Sequence, residues 1–297
     1  MKLAVTLVAA DPADLSAAME AAGYAIEGVG GTVEASDLIG PNAADLRVEA
    51  HTLDGARQAV LGALEGRAVD ACVQPPEGRR KRLLVADMDS TIIGCECLDE
   101  LADYAGRKAE IAEITERAMR GELEFEGALR ERVGMLKGLS AESLQRCYDE
   151  RVRLNPGART LVRTMAGGGA RCVLVSGGFT FFTQRVAEAA GFQADRANTL
   201  GEEAGLLTGA VGEPILGREA KLAALQEEAG ALGVTPAAAV AIGDGANDLA
   251  MIKAAGLGVA YRAKPVVAAE AGARVDHADL TAVLYFQGYR FEDFVTA

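Results

Sequence analysis

No run of apolar residues in this chain is long enough to cross a bilayer, which takes about 20 in succession. The opening Met1-Lys2-Leu3-Ala4-Val5 passes into an acidic segment at Asp11 and Asp14 with no small-residue cleavage site, so it does not read as a signal peptide. Positive charge is also short: 30 lysines and arginines face 43 aspartates and glutamates, a net charge of −13. A surface of that sign repels nucleic acid and anionic membranes, so neither is expected as a partner. An anionic substrate would then need a local positive site or a metal ion. Cysteine is sparse and unpatterned. Its five copies (Cys72, Cys95, Cys97, Cys147, Cys172) are odd in number and irregularly spaced, which suits reduced thiols in the cytoplasm. Cys95-x-Cys97 is too tight for the usual zinc or redox spacing and has no second pair or histidine beside it, so it reads as structural.

What remains is an ordinary globular composition, 50% apolar and 25% charged, in 297 residues, enough for two domains or one with a large insertion. Residues 1–76 read as a small α+β domain. Lys2 to Ala9 is a strand, and a helix starts at Asp11-Pro12-Ala13-Asp14 and runs to Ala22, ended by Gly23. Ala25 to Val33 and Ala44 to Thr52 form an antiparallel pair, Asp54 to Leu64 a second helix and Ala68 to Gln74 a last strand. This βαββαβ order predicts a ferredoxin-like sandwich. The domain has no concentrated set of catalytic residue types, and its lone His51 reads as structural. Pro75-Pro76-Glu77-Gly78-Arg79-Arg80-Lys81-Arg82 is the clearest linker, placing the boundary at 77–82. Its four basic residues are read as a solvated hinge rather than a nucleic-acid patch.

Residues 83–297 carry the chemistry. Leu83-Leu84-Val85-Ala86 suits a buried strand of a parallel sheet. It stops at Asp87-Met88-Asp89-Ser90-Thr91, where open α/β sheets bind ligands. Two carboxylates about 4 Å apart would repel by roughly 4 kcal/mol at an effective dielectric of about 20. Such a pair persists if a cation sits beside it or one member stays protonated. From about 95 to 155 the chain is rich in Glu, Arg, Ala and Leu with apolar residues at helical spacing, which predicts a cap of three or four helices inserted after the first strand. Helix and strand then alternate, giving a doubly wound parallel sheet. The expected strands are Arg171 to Val175, Ala238 to Ile242, Leu257 to Ala260 and Arg274 to Asp276, with Ala194 to Gly212 a small hairpin excursion. Leu284-Tyr285-Phe286-Gln287-Gly288 resembles a protease-tag scar, but the chain continues past it and it is kept as native.

Three strand ends carry groups that phosphoryl transfer needs. Asp87 and Asp89 follow the first. Ser176 and Gly177 follow the second, just before a helix whose free N–H groups make an anion site. Asp244, Asn247 and Asp248 follow the third. Lys221 lies near the start of an intervening helix with no carboxylate three or four residues before it. Mg²⁺ prefers hard oxygen ligands, so paired carboxylates suit it. In this reading Asp87 attacks phosphorus to give an aspartyl-phosphate. Asp89, protonated, donates to the leaving alkoxide and later takes a proton from water. Lys221 and Mg²⁺ offset charge on the phosphoryl oxygens.

Asp87-x-Asp89-Ser90-Thr91, Ser176-Gly177-Gly178, Lys221 and Gly243-Asp244-Gly245-x-Asn247-Asp248 resemble, in order, the four motifs of the haloacid dehalogenase-like phosphatases. The cap segments Glu96, Met119, Phe125 and Ala128-Leu129-Arg130-Glu131-Arg132-Val133 narrow the resemblance to the phosphoserine phosphatase family. That resemblance implies hydrolysis of O-phospho-L-serine to serine and phosphate, the last step of serine biosynthesis. It implies a Mg²⁺ site at Asp87, Asp89 (through its backbone carbonyl) and Asp244, supported by Asp248. It also implies that Glu96 takes the substrate's amino group, that Arg132 takes its carboxylate, and that Met119 and Phe125 close over it. A fork of parallel N–H donors lets an arginine grip a carboxylate with two hydrogen bonds. Met88 stands where the family often has Phe, a position that faces away from the acids.

The N-terminal domain resembles the small amino-acid-binding ACT domains in element order, which implies a regulatory ligand such as serine or a homodimer contact. Two other readings compete. The same fold could act on another small phosphomonoester or pass phosphate to an acceptor alcohol. The chain could instead be a catalytically silent amino-acid sensor, against which intact Asp87, Asp89, Lys221 and Asp244 argue.

Overall fold

The computed structural model describes residues 1–119 and 122–296, apart from the side chains of Glu116, Ala118 and Met119. The N-terminal unit comprises β1 (Lys2–Ala9), α1 (Leu15–Gly28), β2 (Thr32–Gly40), β3 (Ala43–Glu49), α2 (Leu53–Ala63) and β4 (Val69–Gln74). Its antiparallel sheet has the order β2-β3-β1-β4, the split arrangement that the element order predicted. The first helix runs past its expected stop at Gly23. Ala18, Ala22 and Ile26 recur every four residues and are all fully buried. Burying Ile26 outweighs the roughly 1 kcal/mol that a mid-helix glycine costs. The turn therefore falls at Gly30, with φ of 78°, and the strand expected over Ala25 to Val33 forms at Thr32–Gly40 instead.

After β5 (Leu83–Ala86) comes the expected helical cap, which has four helices among the described residues: α3 (Cys97–Tyr104), α4 (Lys108–Met119), α5 (Phe125–Gly134) and α6 (Glu142–Arg151). The chain then runs through α7 (Ala158–Gly167), β6 (Arg171–Phe179), α8 (Thr180–Ala190), β7 (Ala194–Asn198), β8 (Leu200–Glu203), β9 (Leu206–Val211), α9 (Arg218–Ala231) and β10 (Ala239–Gly243). It ends with α10 (Leu249–Ala254), β11 (Leu257–Tyr261), α11 (Pro265–Ala268), β12 (Ala273–Val275) and α12 (Ala282–Phe286). The parallel sheet has the order β12-β11-β10-β5-β6-β7. Period-two alternation divides its residues between two buried faces. Leu84, Ala86, Cys172, Leu174, Val240 and Ile242 share one core with Leu161, Phe182 and Leu284. Leu83, Val85, Val173, Val175, Ala239 and Ala241 share the other with Leu225 and Met251.

Two further expectations need correction. The stretch Ala194 to Gly212 is not one hairpin. Ala194–Asn198 is the edge strand of the main sheet, paired with β6, and its polar composition (Ala-Asp-Arg-Ala-Asn) hid that pairing. The true hairpin, β8–β9, docks on the cap, where Gly138 N–H donates to the Leu207 carbonyl at 2.8 Å and Ala141 N–H to the Gly205 carbonyl at 2.9 Å. Nor is the basic linker a solvated hinge. The Arg79 side chain is 12% exposed and forks onto Asp45 at 2.6 and 3.0 Å. It also donates to Thr6 Oγ1 and to the carbonyls of Tyr285 and Phe286. Beside it, buried Asp70 accepts the backbone N–H groups of Asp276, His277 and Ala278 at 2.9, 3.2 and 2.8 Å. These contacts clamp the N-terminal unit onto the far edge of the parallel sheet. Leu284, Tyr285 and Phe286 are buried there, as native sequence would be. Among the described residues no helix is long and apolar enough to cross a membrane.

Candidate active site

Every motif strand ends at the same edge of the sheet, because parallel neighbours share their carboxyl ends. β5 delivers Asp87, β10 delivers the Gly243–Asp248 turn, and β6 delivers Ser176 and Gly177. β6 extends through that motif to Phe179, with an irregularity in its pairing after Val175, rather than stopping at Val175.

Lys221, at the start of α9, is the electrostatic centre. Its Nζ lies 2.6 Å from Asp87 Oδ1 and 2.6 Å from Asp248 Oδ1. All three side chains are at most 7% exposed. The lysine that seemed to lack a local partner thus has two distant ones. Although burial works against its charge, the two carboxylates hold its pKa above the usual lysine range, so it stays an ammonium. The far oxygen of Asp248 accepts the N–H groups of Asp244 and Gly245 at 3.2 and 3.0 Å. Gly243 is required for this, since a β-carbon there would fall 2.3 Å from Asp248 Cγ. Asp248 is therefore the hub of the turn, a larger part than the supporting one expected from its position in the motif. Burial, reinforced by the charge of Asp248, pushes the Asp87 carboxyl well above the usual carboxylate range. Burial and Asp248 also raise Asp244, whose Oδ1 faces Thr91 Oγ1 at 3.4 Å.

The chain turns sharply after Asp89, at Ser90 with φ of 54°, and the two acids of the first motif take different partners. Asp89 Oδ1 accepts the Cys97 N–H at 2.8 Å at the start of α3. Its Oδ2 accepts the Ser176 hydroxyl at 3.0 Å, and Ser176 Oγ in turn accepts the Gly178 N–H at 2.8 Å. Burial raises the Asp89 pKa above its ordinary value. Carboxylate oxygens of Asp87, Asp244 and Asp248 lie within 4.8 Å of one another, while those of Asp89 are outside that group. Three buried or half-buried carboxylates beside a single lysine leave excess negative charge, and their hard oxygens fit a divalent cation such as Mg²⁺.

The cap brings its residues to the same place. Phe125 lies over the Ser176–Gly177 turn, its ring 3.3 Å from where a β-carbon on Gly177 would stand, and it also borders Gly217. Arg132 stands seven residues on, on the same face of α5. The three charged residues Arg130, Glu131 and Arg132 stand in different surroundings. Arg130 and Glu131 are exposed and Arg130 pairs with Glu213 at 2.7 Å, whereas Arg132 is half-buried and has no ion pair among the described residues. Burial lowers the Arg132 pKa, and the charges of Asp99 and Glu96 oppose that fall. Glu96 accepts the Ser90 hydroxyl at 2.6 Å and keeps an exposed face, yet loss of solvent around its carboxyl and the charge of Asp89 raise its pKa to about 7. Asn247 sits in the Asp248 turn, folded back over Gly245, without a hydrogen bond to the other motif residues among the described contacts. The Met119 side chain lies outside the described residues.

Asn198 is a further positioning group that no motif pointed to. At the end of β7 its amide donates to the Gly177 and Leu216 carbonyls at 2.9 and 3.3 Å and accepts the Leu216 N–H at 2.7 Å. It ties the Ser176 turn to the segment that leads into Lys221. A buried asparagine ending a strand was the available signal, but the strand itself was misread.

Comparison with known proteins agrees with this geometry. A family model described as haloacid dehalogenase-like hydrolase matches residues 84–253. The phosphoserine phosphatase of Polaromonas sp. (strain JS666) is 49% identical over 208 residues, covering 68% of this chain and 88% of the relative. A structure of a probable phosphoserine phosphatase from Vibrio cholerae in unliganded form aligns with a TM-score of 0.78 and 32% identity. That alignment covers 97% of this chain and 86% of the other, so it takes in the N-terminal unit. A phospho-aspartyl intermediate analogue of phosphoserine phosphatase aligns with a TM-score of 0.65 and 36% identity over 70% of this chain and 99% of that one. The chain belongs to the haloacid dehalogenase-like hydrolase family, in its phosphoserine phosphatase branch.

Proposed function

We propose that the chain hydrolyses O-phospho-L-serine to L-serine and phosphate with Mg²⁺, through a phosphorylated Asp87. The observation that supports the substrate is that Glu96 and Arg132 lie close enough to act on each other's charge, with Glu96 acting also on Asp89 and Asp244. Phosphoserine is an anion at one end and a zwitterion at the other, so its receptor needs a phosphate cradle, an ammonium acceptor and a carboxylate donor. The Ser176–Gly177 turn and Lys221 supply the first, Glu96 the second and Arg132 the third. Phe125, which lies over Gly177, would close over the bound substrate.

In the first step an Asp87 oxygen attacks phosphorus, and the bond to the serine oxygen breaks. That oxygen takes the proton held by Asp89. Water, losing a proton to Asp89, then attacks the acyl phosphate, releasing phosphate and restoring Asp87. Lys221 orients Asp87 and offsets phosphoryl charge. Asp87 and Asp244, braced by Asp248, are the side chains that would hold Mg²⁺, which when bound supplies further positive charge for the phosphoryl oxygens. The relative described as a phospho-aspartyl intermediate analogue supports the covalent route. The reaction would complete a serine-making sequence inside the cell. The N-terminal unit is read as an ACT-like regulatory or dimerisation domain, tested by the oligomeric state and serine response of the full chain.

Two results would separate this reading from a generic phosphatase. Arg132→Ala should lower kcat/KM for phosphoserine by roughly 10²- to 10³-fold, mostly in KM, and leave p-nitrophenyl phosphate within a few-fold. Equal losses on both esters would remove the carboxylate grip. The pH dependence has a defined sign. Glu96 is neutral below its pKa of about 7 and becomes an ammonium acceptor above it. Hence kcat/KM for phosphoserine should rise through pH 7 in wild type, and Glu96→Gln should lose that limb. An unchanged profile in the variant would contradict the assignment.

A further inference from the structure

A phosphomonoester reaches this site as a doubly charged anion, and the protein it approaches carries a net charge of −13. The cations already described have other duties. Lys221 is shared between Asp87 and Asp248, and Arg132 stands on the cap with Asp99 and Glu96. Another cation borders the site from the core, in the segment Tyr261-Arg262-Ala263-Lys264-Pro265, which belongs to none of the four motifs.

The sheet places this segment. β11 runs parallel to β10 with Ala260 opposite Gly243, so the chain leaves β11 at the same edge as the Asp244 turn. It turns at Arg262, with φ of 44°, a conformation that a residue bearing a β-carbon adopts where its surroundings fix it. Two residues on, the Lys264 N–H donates to the Asp244 carbonyl at 3.0 Å. The Lys264 carbonyl accepts the N–H groups of Val267 and Ala268 at 2.9 and 3.0 Å. Its backbone is thus held on both sides, against the turn that carries the acids. Its side chain is exposed and has no ion pair among the described residues. The charge nevertheless reaches inward. Burial and Asp248 raise the Asp244 carboxyl, and the charges of Lys221 and Lys264 oppose that rise.

We propose that Lys264 is a positioning residue for the phosphate group, its ammonium drawing the dianion toward Asp244 and adding to its hold without taking part in bond making or breaking. The proposal rests on the Asp87 site receiving a phosphomonoester and is indifferent to whether the alcohol is serine. A cation at the mouth raises the local concentration of an anion and its rate of entry. Because it acts on the bound ester and on the transition state alike, its effect belongs in KM rather than kcat. Because it is exposed, salt should screen it: the Debye length falls from about 10 Å at 0.1 M to about 3 Å at 1 M.

Steady-state kinetics of the full chain at saturating Mg²⁺ test this, with phosphoserine and p-nitrophenyl phosphate as substrates and inorganic phosphate as inhibitor. At low ionic strength Lys264→Gln should raise both KM values and the inhibition constant of phosphate together, by about 3- to 10-fold, with kcat within about twofold. Lys264→Glu should multiply that factor again, and Lys264→Arg should restore the wild-type values. Near 1 M salt the variants should converge on wild type. Arg67→Gln removes the same charge from the exposed surface of the N-terminal unit and should change none of these constants. The pattern differs from that of Arg132→Ala, whose loss is confined to phosphoserine, so failure of the amino-acid reading leaves this test intact. Calorimetric titration with inorganic phosphate repeats the comparison without turnover. The proposal is overturned if Lys264→Gln leaves phosphate inhibition unchanged, if its effect is the same at low and high salt, or if Arg67→Gln matches it. A lowered melting temperature with phosphate binding intact would also overturn it, reducing Lys264 to a counter-charge for Asp244.

Discussion

Replacing Asp87 by asparagine should reduce phosphate release by about 10⁴-fold or more while leaving the protein folded, because a nucleophile removed from a catalytic unit takes most of the unit's effect with it. The fold should survive for a specific reason. Lys221 keeps its 2.6 Å contact with Asp248, and the amide can still accept the Met88 N–H that Asp87 Oδ1 accepts at 2.8 Å. The change also relieves a carboxyl whose ionisation burial and Asp248 oppose. Active sites commonly store this kind of electrostatic tension, and relieving it tends to cost function rather than stability. A cooperative melt with lost turnover is the expected pair of readings. Retained turnover would move the nucleophile elsewhere.

Lys221→Met should damage both stability and activity. It leaves Asp87 and Asp248 buried side by side without their shared cation, and breaking a buried ion pair from one side costs about 3–5 kcal/mol. Loss of a preorganised positive group beside the phosphoryl oxygens costs roughly 10²- to 10³-fold in rate. Urea unfolding in EDTA should show the full penalty. Added Mg²⁺ should recover part of it, because a ligand that binds the folded state at 100 times its Kd contributes about 2.7 kcal/mol. The contrast with Asp87→Asn is the informative part: one member of the pair is removable without loss of fold and the other is not. Equal stability of Lys221→Met and wild type would show that the lysine does not hold the two acids.

Much of this site is legible in the sequence, because parallel strands place short polar motifs at one edge, and the motifs stand next to their strands in the chain. Asp87, Ser176, Asp244 and Asp248 could be grouped on that ground alone. What distance along the chain hides is pairing. Lys221 seemed unpartnered because its two carboxylates lie 134 and 27 residues away. Arg79 read as hinge charge because Asp45 lies 34 residues away and the α12 carbonyls 206 and 207. Local composition misled twice in the same manner. Gly23 looked like a helix stop, but the burial of Ile26 carried the helix through it. The polar β7 looked like part of a hairpin, but its backbone pairs with β6 whatever its side chains are. Asn198, at the end of that strand, was lost with it. Arg132 is the intermediate case, since only packing separates it from its exposed neighbours Arg130 and Glu131.

The most direct test of the account is phosphate release from O-phospho-L-serine with Mg²⁺, measured beside other small phosphomonoesters and p-nitrophenyl phosphate. Phosphoserine should be preferred by about 100-fold or more in kcat/KM, the worth of two charge-assisted contacts in one site, and EDTA should abolish turnover. Failure to release phosphate from phosphoserine, or release with no preference over esters that lack the amino-acid group, would contradict the roles given to Glu96 and Arg132 and with them the proposed function.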